Sequence, residues 1–518
     1  MMGAKLRFFD ATPVGRIMNR FSKDLESVDQ ELAPFADGFV VTTLACLVTI
    51  GVICAITPAF LLFTIFIAIV YSLVGVFYLN LSRDLKRFES ITRSPIHQHF
   101  TETLVGVTTI RAYGDERRFL VQNLSKIDDN NRPFFFVWVN NRWLAFRTDM
   151  IGSFIVFLAS ALAVGYAAKI DSGLAGISLS FAVSFNQNAI WVLRLYANVE
   201  INMNSVERIQ EYIKDTEQEP PAEIPENEPA PSWPQKGAIE VKDLSLRYAS
   251  NLPRVIDTIS FNIKPSEKIG VVGRTGAGKS TIITSFFRFV DPDSGYIKID
   301  GVDITSIGLR RLRKSLTIIP QDPTLFNGTI RSNLDMYGEY ADLQMFEALK
   351  RVNLISAAEY QQIIDGDGKF FNSAEQSTEE NRNKFLDLDN PISENGGNLS
   401  QGERQLMCLA RSLLKSPRVL MLDEATASID YEADAMIQKT IREEFSSTTI
   451  LTIAHRLKTI IDYDKILVLD AGKIKEFDHP YKLIVDKTSQ FRDMCMDTGE
   501  FDDLVALAKQ AFVDAKNK

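Results

Sequence analysis

The sequence predicts an α-helical membrane domain of about four spans followed by an α/β domain built around a P-loop. Three observations predict it. From Gly38 to Ser82 there is no Asp, Glu, Lys or Arg, a run long enough for two bilayer-crossing helices of about 20 residues each. Gly273-Arg274-Thr275-Gly276-Ala277-Gly278-Lys279-Ser280 fits G-x-x-x-x-G-K-[ST], between an apolar strand and a helix start. Between these regions lies a stretch dense in Pro and Glu, of the kind that separates domains.

At 518 residues the chain is too long for one ordinary domain. Its net charge of −9 is unevenly spread, and no broad basic surface pattern points to nucleic acid as a partner. Cys46, Cys54, Cys408 and Cys495 lack metal-ligand spacing and read as reduced structural thiols. Lys5, Arg7, Asp10 and Arg16 break any apolar core of a secretory signal.

Taken in order, residues 1–215 read as the membrane domain, with spans at about 36–57, 59–81, 150–169 and 174–194. Thr57-Pro58 supplies the first far-side turn; Lys169, Asp171 and Gly173 supply the second. Basic residues flank the uncharged run on both sides, Arg16, Arg20 and Lys23 before it and Arg83, Lys86 and Arg87 after it. The positive-inside rule therefore puts both flanks in the cytoplasm. Residues 83–149 are polar, with Pro95 and Pro133 as the main breakers, and read as long helices that leave the membrane and return. Phe134, Phe135, Phe136, Trp138 and Trp143 mark the interface on re-entry. Val206, Ile209 and Ile213 continue a helix beyond the last span.

Residues 216–236 form an extended Pro/Glu linker, and the α/β domain occupies 237–490, opening on the alternating strand Ile239-Glu240-Val241-Lys242-Asp243-Leu244. Within it, 361–395 is an acidic segment of little apolar content. It is expected to be a disordered surface insertion, with a phosphorylation or docking site as alternatives. A helical tail, 491–518, ends the chain.

The chemistry concentrates in the α/β domain. Glycines in the P-loop let backbone N–H groups close on phosphate oxygens, and the helix start adds positive potential. Lys279 is placed to reach the outer phosphates and the Ser280 hydroxyl to sit on Mg²⁺; the cradle runs from Gly273 through Ser280 to Thr281. Val419-Leu420-Met421-Leu422-Asp423 is an apolar strand delivering a carboxylate suited to Mg²⁺, and Glu424 follows, placed to polarise a water that attacks the terminal phosphate.

Further residues complete a set. Tyr248 precedes the P-loop, Gln321 ends Ile318-Ile319-Pro320-Gln321, and Leu399-Ser400-Gln401-Gly402-Glu403 opens an apolar helix. Ala427-Ser428-Ile429-Asp430 follows Glu424, and His455 ends Thr452-Ile453-Ala454-His455. In this order the set resembles the nucleotide-binding domain of ATP-binding cassette (ABC) transporters. That resemblance implies an ATPase coupled to membrane transport, with ATP and Mg²⁺ as cofactors. It implies that Tyr248 stacks on adenine, that Gln321 senses Mg²⁺ and the membrane domain, and that His455 holds the γ-phosphate. It further implies that residues 399–403 clamp ATP bound to an opposite cassette, and that Asp430 lies at the dimer contact. Glu403 stands where that family usually has Gln, a change expected to adjust the clamp without abolishing it.

The membrane part is similar to the second half of C-subfamily, multidrug-resistance-associated, type I exporters. The segments that carry the likeness are Phe8-Phe9-Asp10-Ala11-Thr12-Pro13-Val14-Gly15-Arg16-Ile17-Met18-Asn19-Arg20-Phe21, Ser94-Pro95-Ile96 through Ile110-Arg111-Ala112-Tyr113, Asn141-Arg142-Trp143-Leu144 and Val206-Glu207-Arg208-Ile209. The acidic insertion looks like that of fungal vacuolar members. On this resemblance the chain starts inside the first cytoplasmic loop, two spans of the half are missing, and an N-terminal half-transporter with its own cassette is the expected partner, besides membrane lipid. Weak ATPase activity is expected without it. Trp191 and Arg194, near the cytoplasmic end of the last span, match positions used for amphipathic organic anions; the alternative is a snorkelling Arg beside an interfacial Trp. Vacuolar or other endomembrane placement is expected, with the plasma membrane as the alternative and the cassette in the cytosol. Alternative functions are an ABC-type channel or channel-regulator subunit, or a non-functional fragment of a split gene.

Overall fold

A computed structural model describes residues 1–166, 168–365, 383–423, 431–454 and 456–517. It divides into two compact units, Phe8–Glu217 with the first two residues, and Gln218–Lys518 with Gly3–Arg7.

In the first unit four long helices dominate: α1 (Ala33–Ile56), α2 (Phe60–Val105), α3 (Glu116–Gly165) and α4 (Ser172–Lys214). Their shared core is apolar, with Ile53, Phe60, Ile67, Ile155 and Phe185 buried, and the small side chains of Ala159, Ala182 and Ala189 let the helices approach closely. The outward faces are apolar too, as Leu62, Phe66 and Val76 show. A helix greasy on all sides is one whose surroundings are hydrocarbon. Among the described residues three helical segments are long and apolar enough to cross a membrane: Val14–Ile56, Phe60–Val105 and Glu116–Gly165. The stretch expected as a fourth span lies in α4, where Ser178, Ser184, Asn186, Gln187 and Asn188 dilute the apolar run.

Both turns expected between paired spans fall where the sequence places breakers. Thr57 ends α1, its hydroxyl donating to Ile53 O at 2.9 Å, and the Asp171 carboxylate accepts from Gly173 N at 3.1 Å to cap α4. Pro95 and Pro133 sit inside unbroken helices. There the Asn130 amide ties α3 to α2, donating to Glu89 O at 2.9 Å and Thr92 Oγ1 at 2.8 Å. Asp24 is buried and accepts from Arg20 (2.8 Å), Ser205 (3.1 Å) and Arg208 Nε (3.2 Å), so the N-terminal segment is anchored to the end of α4.

The second unit carries two main sheets. One is antiparallel, in the order β2–β1–β4–β5, from β1 (Ile239–Leu246), β2 (Ile256–Ile263), β4 (Pro292–Ile299) and β5 (Val302–Asp303). The other has the order β12–β11–β3–β10–β9–β6. Its strands are β3 (Lys268–Gly273), β6 (Thr317–Ile319), β9 (Val419–Asp423), β10 (Thr449–Ile453), β11 (Lys465–Asp470) and β12 (Lys473–Asp478). All its pairs are parallel except β11–β12. The near-continuous apolar runs of β3, β9 and β10 follow from burial on both faces. A short pair, β7 (Gly328–Thr329) and β8 (Pro391–Ile392), stands apart. Flanking helices include α5 (Lys279–Phe286), α6 (Gln401–Lys415) and α7 (Tyr431–Glu444).

The Pro/Glu stretch is tied to this unit from Gln218 on. Trp233 is buried and donates from Nε1 to Ile299 O at 3.0 Å. Arg313 grips Glu219 through both terminal nitrogens, at 2.7 and 2.6 Å. Asp300 accepts the N–H groups of Gln235, Lys236, Gly237 and Ala238 at 2.8 to 3.1 Å. Partial burial pushes its carboxyl up, but the four N–H groups outweigh that and hold it below the usual carboxylate range. Folding therefore favours the ionised form: the stabilisation is complete above the unfolded pKa and is lost as pH falls through the lower folded one. Asp300→Ala is expected to destabilise this unit by about 1–2 kcal/mol, the cost of taking the acceptor from two exposed and two part-buried donors, and to flatten its acid unfolding below about pH 4. Thermal melts at neutral and acid pH check both; a melt unchanged at pH 7 would count against the knot.

Of the acidic segment, residues 366–382, about half of the expected insertion, lie outside the described residues. It is entered by the helix Ala357–Asp365 and left by a turn at Lys384–Leu386. The tail forms two helices, Gln490–Asp497 and Phe501–Asn517, where one was expected; Phe491, Cys495, Leu504 and Ala508 bury their inner faces. All four cysteines are free thiols.

Candidate nucleotide-binding site

Strand β3 sits mid-sheet, parallel to β10 and β11 on either side, and Ile269 to Val272 are fully enclosed. The loop that follows is shaped by contacts only glycine permits. A Cβ on Gly273 would lie 2.2 Å from Leu469 O of β11, and one on Gly278, whose φ is +99°, would meet Ile256 Cδ1 at 2.6 Å. Gly472 N, in the β11–β12 turn, donates to Ala277 O at 3.2 Å and props the loop from behind. α5 then starts at Lys279, and its first N–H groups have no carbonyl a turn ahead of them.

Lys279 is buried, with Nζ donating to Gly273 O at 2.8 Å and Arg274 O at 3.3 Å, so its ammonium is folded over the loop. Arg274, Thr275, Gly276 and Ser280 are exposed around it, and Ala277 and Thr281 are buried beneath. Ser280 Oγ donates to Asp423 Oδ1 at 3.4 Å. Asp423 ends β9 and pairs in register with Ile453 of β10, which in turn pairs with Val271 of β3. Register thus delivers Ser280 and Asp423 to one edge of the sheet, where strand C-termini meet in open α/β sheets. Gln321, two residues beyond β6, is exposed; the neighbouring Ile319 pairs with Leu422 beside Asp423. Tyr248 is 40% exposed, with its hydroxyl 2.9 Å from Thr281 Oγ1, so the ring is held beside the loop and stays part-exposed. Glu424, Asp430 and His455 lie outside the described residues.

Residues 1–189 match the ABC transporter transmembrane region and residues 256–427 the ABC transporter family proper, together well over half of the chain. The chain belongs to the ABC transporter family. It is similar to an ATP-dependent bile acid permease of Saccharomyces cerevisiae, 61% identical over 517 residues. A pleiotropic ABC efflux transporter of multiple drugs, YBT1 of Candida glabrata, is 56% identical over 519 residues, and the metal resistance protein YCF1 of S. cerevisiae is 42% identical over 501. The matches take in 96 to 100% of this chain but only 31 to 32% of those proteins, so the chain spans about a third of their length.

The ABC family implies Mg²⁺ beside the ATP phosphates. The Ser280 hydroxyl and Asp423 carboxylate fit it, being hard oxygen donors brought together at the phosphate loop. Among the described residues no cluster of three His, Cys, Asp or Glu could hold a metal by itself.

The signature residues stand at the start of α6. Ser400 caps it, accepting from Glu403 N at 3.2 Å while Glu403 Oε2 accepts from Ser400 N at 2.7 Å. Leu399 is buried, and Gln401 accepts from Arg404. Lys384 Nζ pairs with Glu403 at 2.8 Å. Burial raises the Glu403 carboxyl, but Lys384 and the Ser400 groups prevail and hold it below its usual range. The acid at 403 thus completes a capping box and adds an ion pair that Gln could not make. Lys384 was not legible as a partner: it lies across the acidic segment, and the unusual Glu403 was the one hint of it. No hydrogen bond or ion pair among the described residues joins Ser400 to Glu403 with the P-loop of this chain.

In the first unit the Arg194 guanidinium lies 5.8 Å from the centroid of the exposed Trp191 ring. A cavity of about 270 Å³ opens between the helices near them, lined by Ile50, Ile67, Tyr71, Phe185 and, one residue from each, Val192 and Leu193.

Proposed function

We propose that this chain is the ATP-binding and ATP-hydrolysing half of a C-subfamily exporter that drives amphipathic organic anions or conjugates across an endomembrane, the vacuolar membrane foremost. The observation that carries the reading is the meeting of Ser280 with Asp423 at a loop closed by Lys279. The P-loop N–H groups and the Lys279 ammonium bind the phosphates, and the Tyr248 ring carries the adenine. Ser280, Asp423 and Gln321 would hold Mg²⁺, which when bound neutralises phosphate charge. Glu424 takes a proton from the attacking water, and His455 donates a hydrogen bond to the γ-phosphate. Ser400 to Glu403 contact ATP held by a partner half with its own cassette, and four helices of residues 1–215 cross the bilayer.

The substrate class draws support from the bile acid permease, since a bile acid is an amphipathic anion. Arg194 would meet its charge and Trp191 its apolar face. The resemblance of the acidic segment to vacuolar members supports the compartment. The test is ATP-dependent uptake of a labelled bile acid into vesicles holding this chain and an N-terminal half. Arg194→Ala is expected to cut uptake about tenfold or more, the worth of one desolvated charge-assisted contact, with ATP binding unchanged. Equal uptake by parent and variant would remove Arg194 from the site, and no uptake without ATP hydrolysis being impaired would remove the exporter reading.

A further inference from the structure

Tyr248 lies in the loop that joins β1 to β2, and that loop is held at both ends by one carboxylate. Arg247 opens the loop and Arg254 closes it. Asp293, near the start of β4, accepts from Arg254 Nε at 3.2 Å and Arg254 Nη2 at 3.0 Å, and from Arg247 Nη2, all on Oδ2. β4 pairs with β1 at Leu246 and Pro292, so Asp293 rises from the strand beside the one that leads into the tyrosine's loop. Each arginine also has a second hold. Arg247 Nη1 donates to Ser250 O at 3.3 Å inside the loop, and Arg254 Nη1 donates to Asp257 at 3.4 Å, which pairs with Lys473 at 3.3 Å. The neck is closed by Val255 N donating to Leu246 O at 2.8 Å. Between these fixed points the Tyr248 hydroxyl meets Thr281 on the P-loop helix. Part-exposed ion pairs contribute little to stability, so a carboxylate shared by two guanidiniums here matters for geometry.

We propose that Asp293 is a positioning residue for the nucleotide base: by drawing Arg247 and Arg254 onto one oxygen it sets the angle at which the Tyr248 ring meets adenine. The proposal rests on the ATP reading above. Arg247 first, and Arg254 with it, hold the Asp293 carboxyl below its usual range, as two guanidiniums on one carboxylate should.

The experiment measures binding of Mg-ATP and of Mg-tripolyphosphate, which lacks the base, to the full chain in detergent. Asp293→Ala is expected to weaken ATP about five- to tenfold and to leave tripolyphosphate within about twofold, the size expected when one stacked aromatic is mispositioned. Asp293→Glu is expected to recover most of the loss, and Asp293→Ala in a Tyr248→Ala background to add none. Asp293→Asn, which keeps the shape, serves if the alanine variant does not fold. Equal weakening of both ligands, no weakening of ATP, or additive losses with Tyr248→Ala would each overturn the proposal. A parent chain that binds tripolyphosphate and ATP equally would overturn it as well, while one that binds neither would remove the ATP reading beneath it.

Discussion

Glu424→Gln is expected to leave Mg-ATP bound and to slow its hydrolysis by about 10²- to 10⁴-fold, the usual contribution of a positioned general base. Asp423 ends β9 on the ligand-binding edge of the sheet, and its carboxylate already faces the Ser280 hydroxyl. The next residue in the chain, Glu424, is the first acid after the strand in the sequence and the proposed base for the water. The amide keeps the shape and the hydrogen-bonding reach but cannot take a proton, so binding is spared and turnover is not. Single-turnover hydrolysis with the N-terminal half present, alongside direct ATP binding, is the measurement. Parental turnover in the variant would rule Glu424 out as the base.

Lys279→Ala is expected to act one step earlier, weakening Mg-ATP about a hundredfold or more, as loss of a cation facing a polyphosphate does in a partly desolvated site. The Lys279 ammonium is the buried cation at the loop, and its contacts are carbonyl oxygens of Gly273 and Arg274, which carry no full charge. It can exchange them for phosphate oxygens at little cost. Since those same bonds brace the loop, thermal melting should accompany the titration; affinity lost with the melting point kept is the expected pattern. Retained affinity would mean the phosphates lie elsewhere.

What could be read from the sequence was local. The strand, glycine loop and helix start are contiguous, so the P-loop and Asp423 were legible with their surroundings. The apolar runs showed where hydrocarbon begins, but not where helices end: α2 continues from Ser82 to Val105 through charged residues that helices tolerate freely in water. The ties that hold the sites in place were not legible at all. Asp293 with Arg254 and Asp300 with the backbone at 235–238 join residues ordinary in isolation and distant along the chain, and Glu403, unusual in its place, did not by itself point to Lys384. Only pairing in space distinguishes them. A capping Ser400 was foreseeable from the Ser-x-x-Glu spacing; the lysine behind it was not.

The contacts at Leu469 and Gly472 have a consequence for how this molecule can be shortened. The phosphate loop takes its form from the strand and turn against which it is cast, and those come almost two hundred residues later in the chain. The nucleotide pocket is therefore unfinished on a growing polypeptide until the hairpin of β11 and β12 has been made. Any shortened version ending before that hairpin would keep every motif residue and still have no mould to set them in.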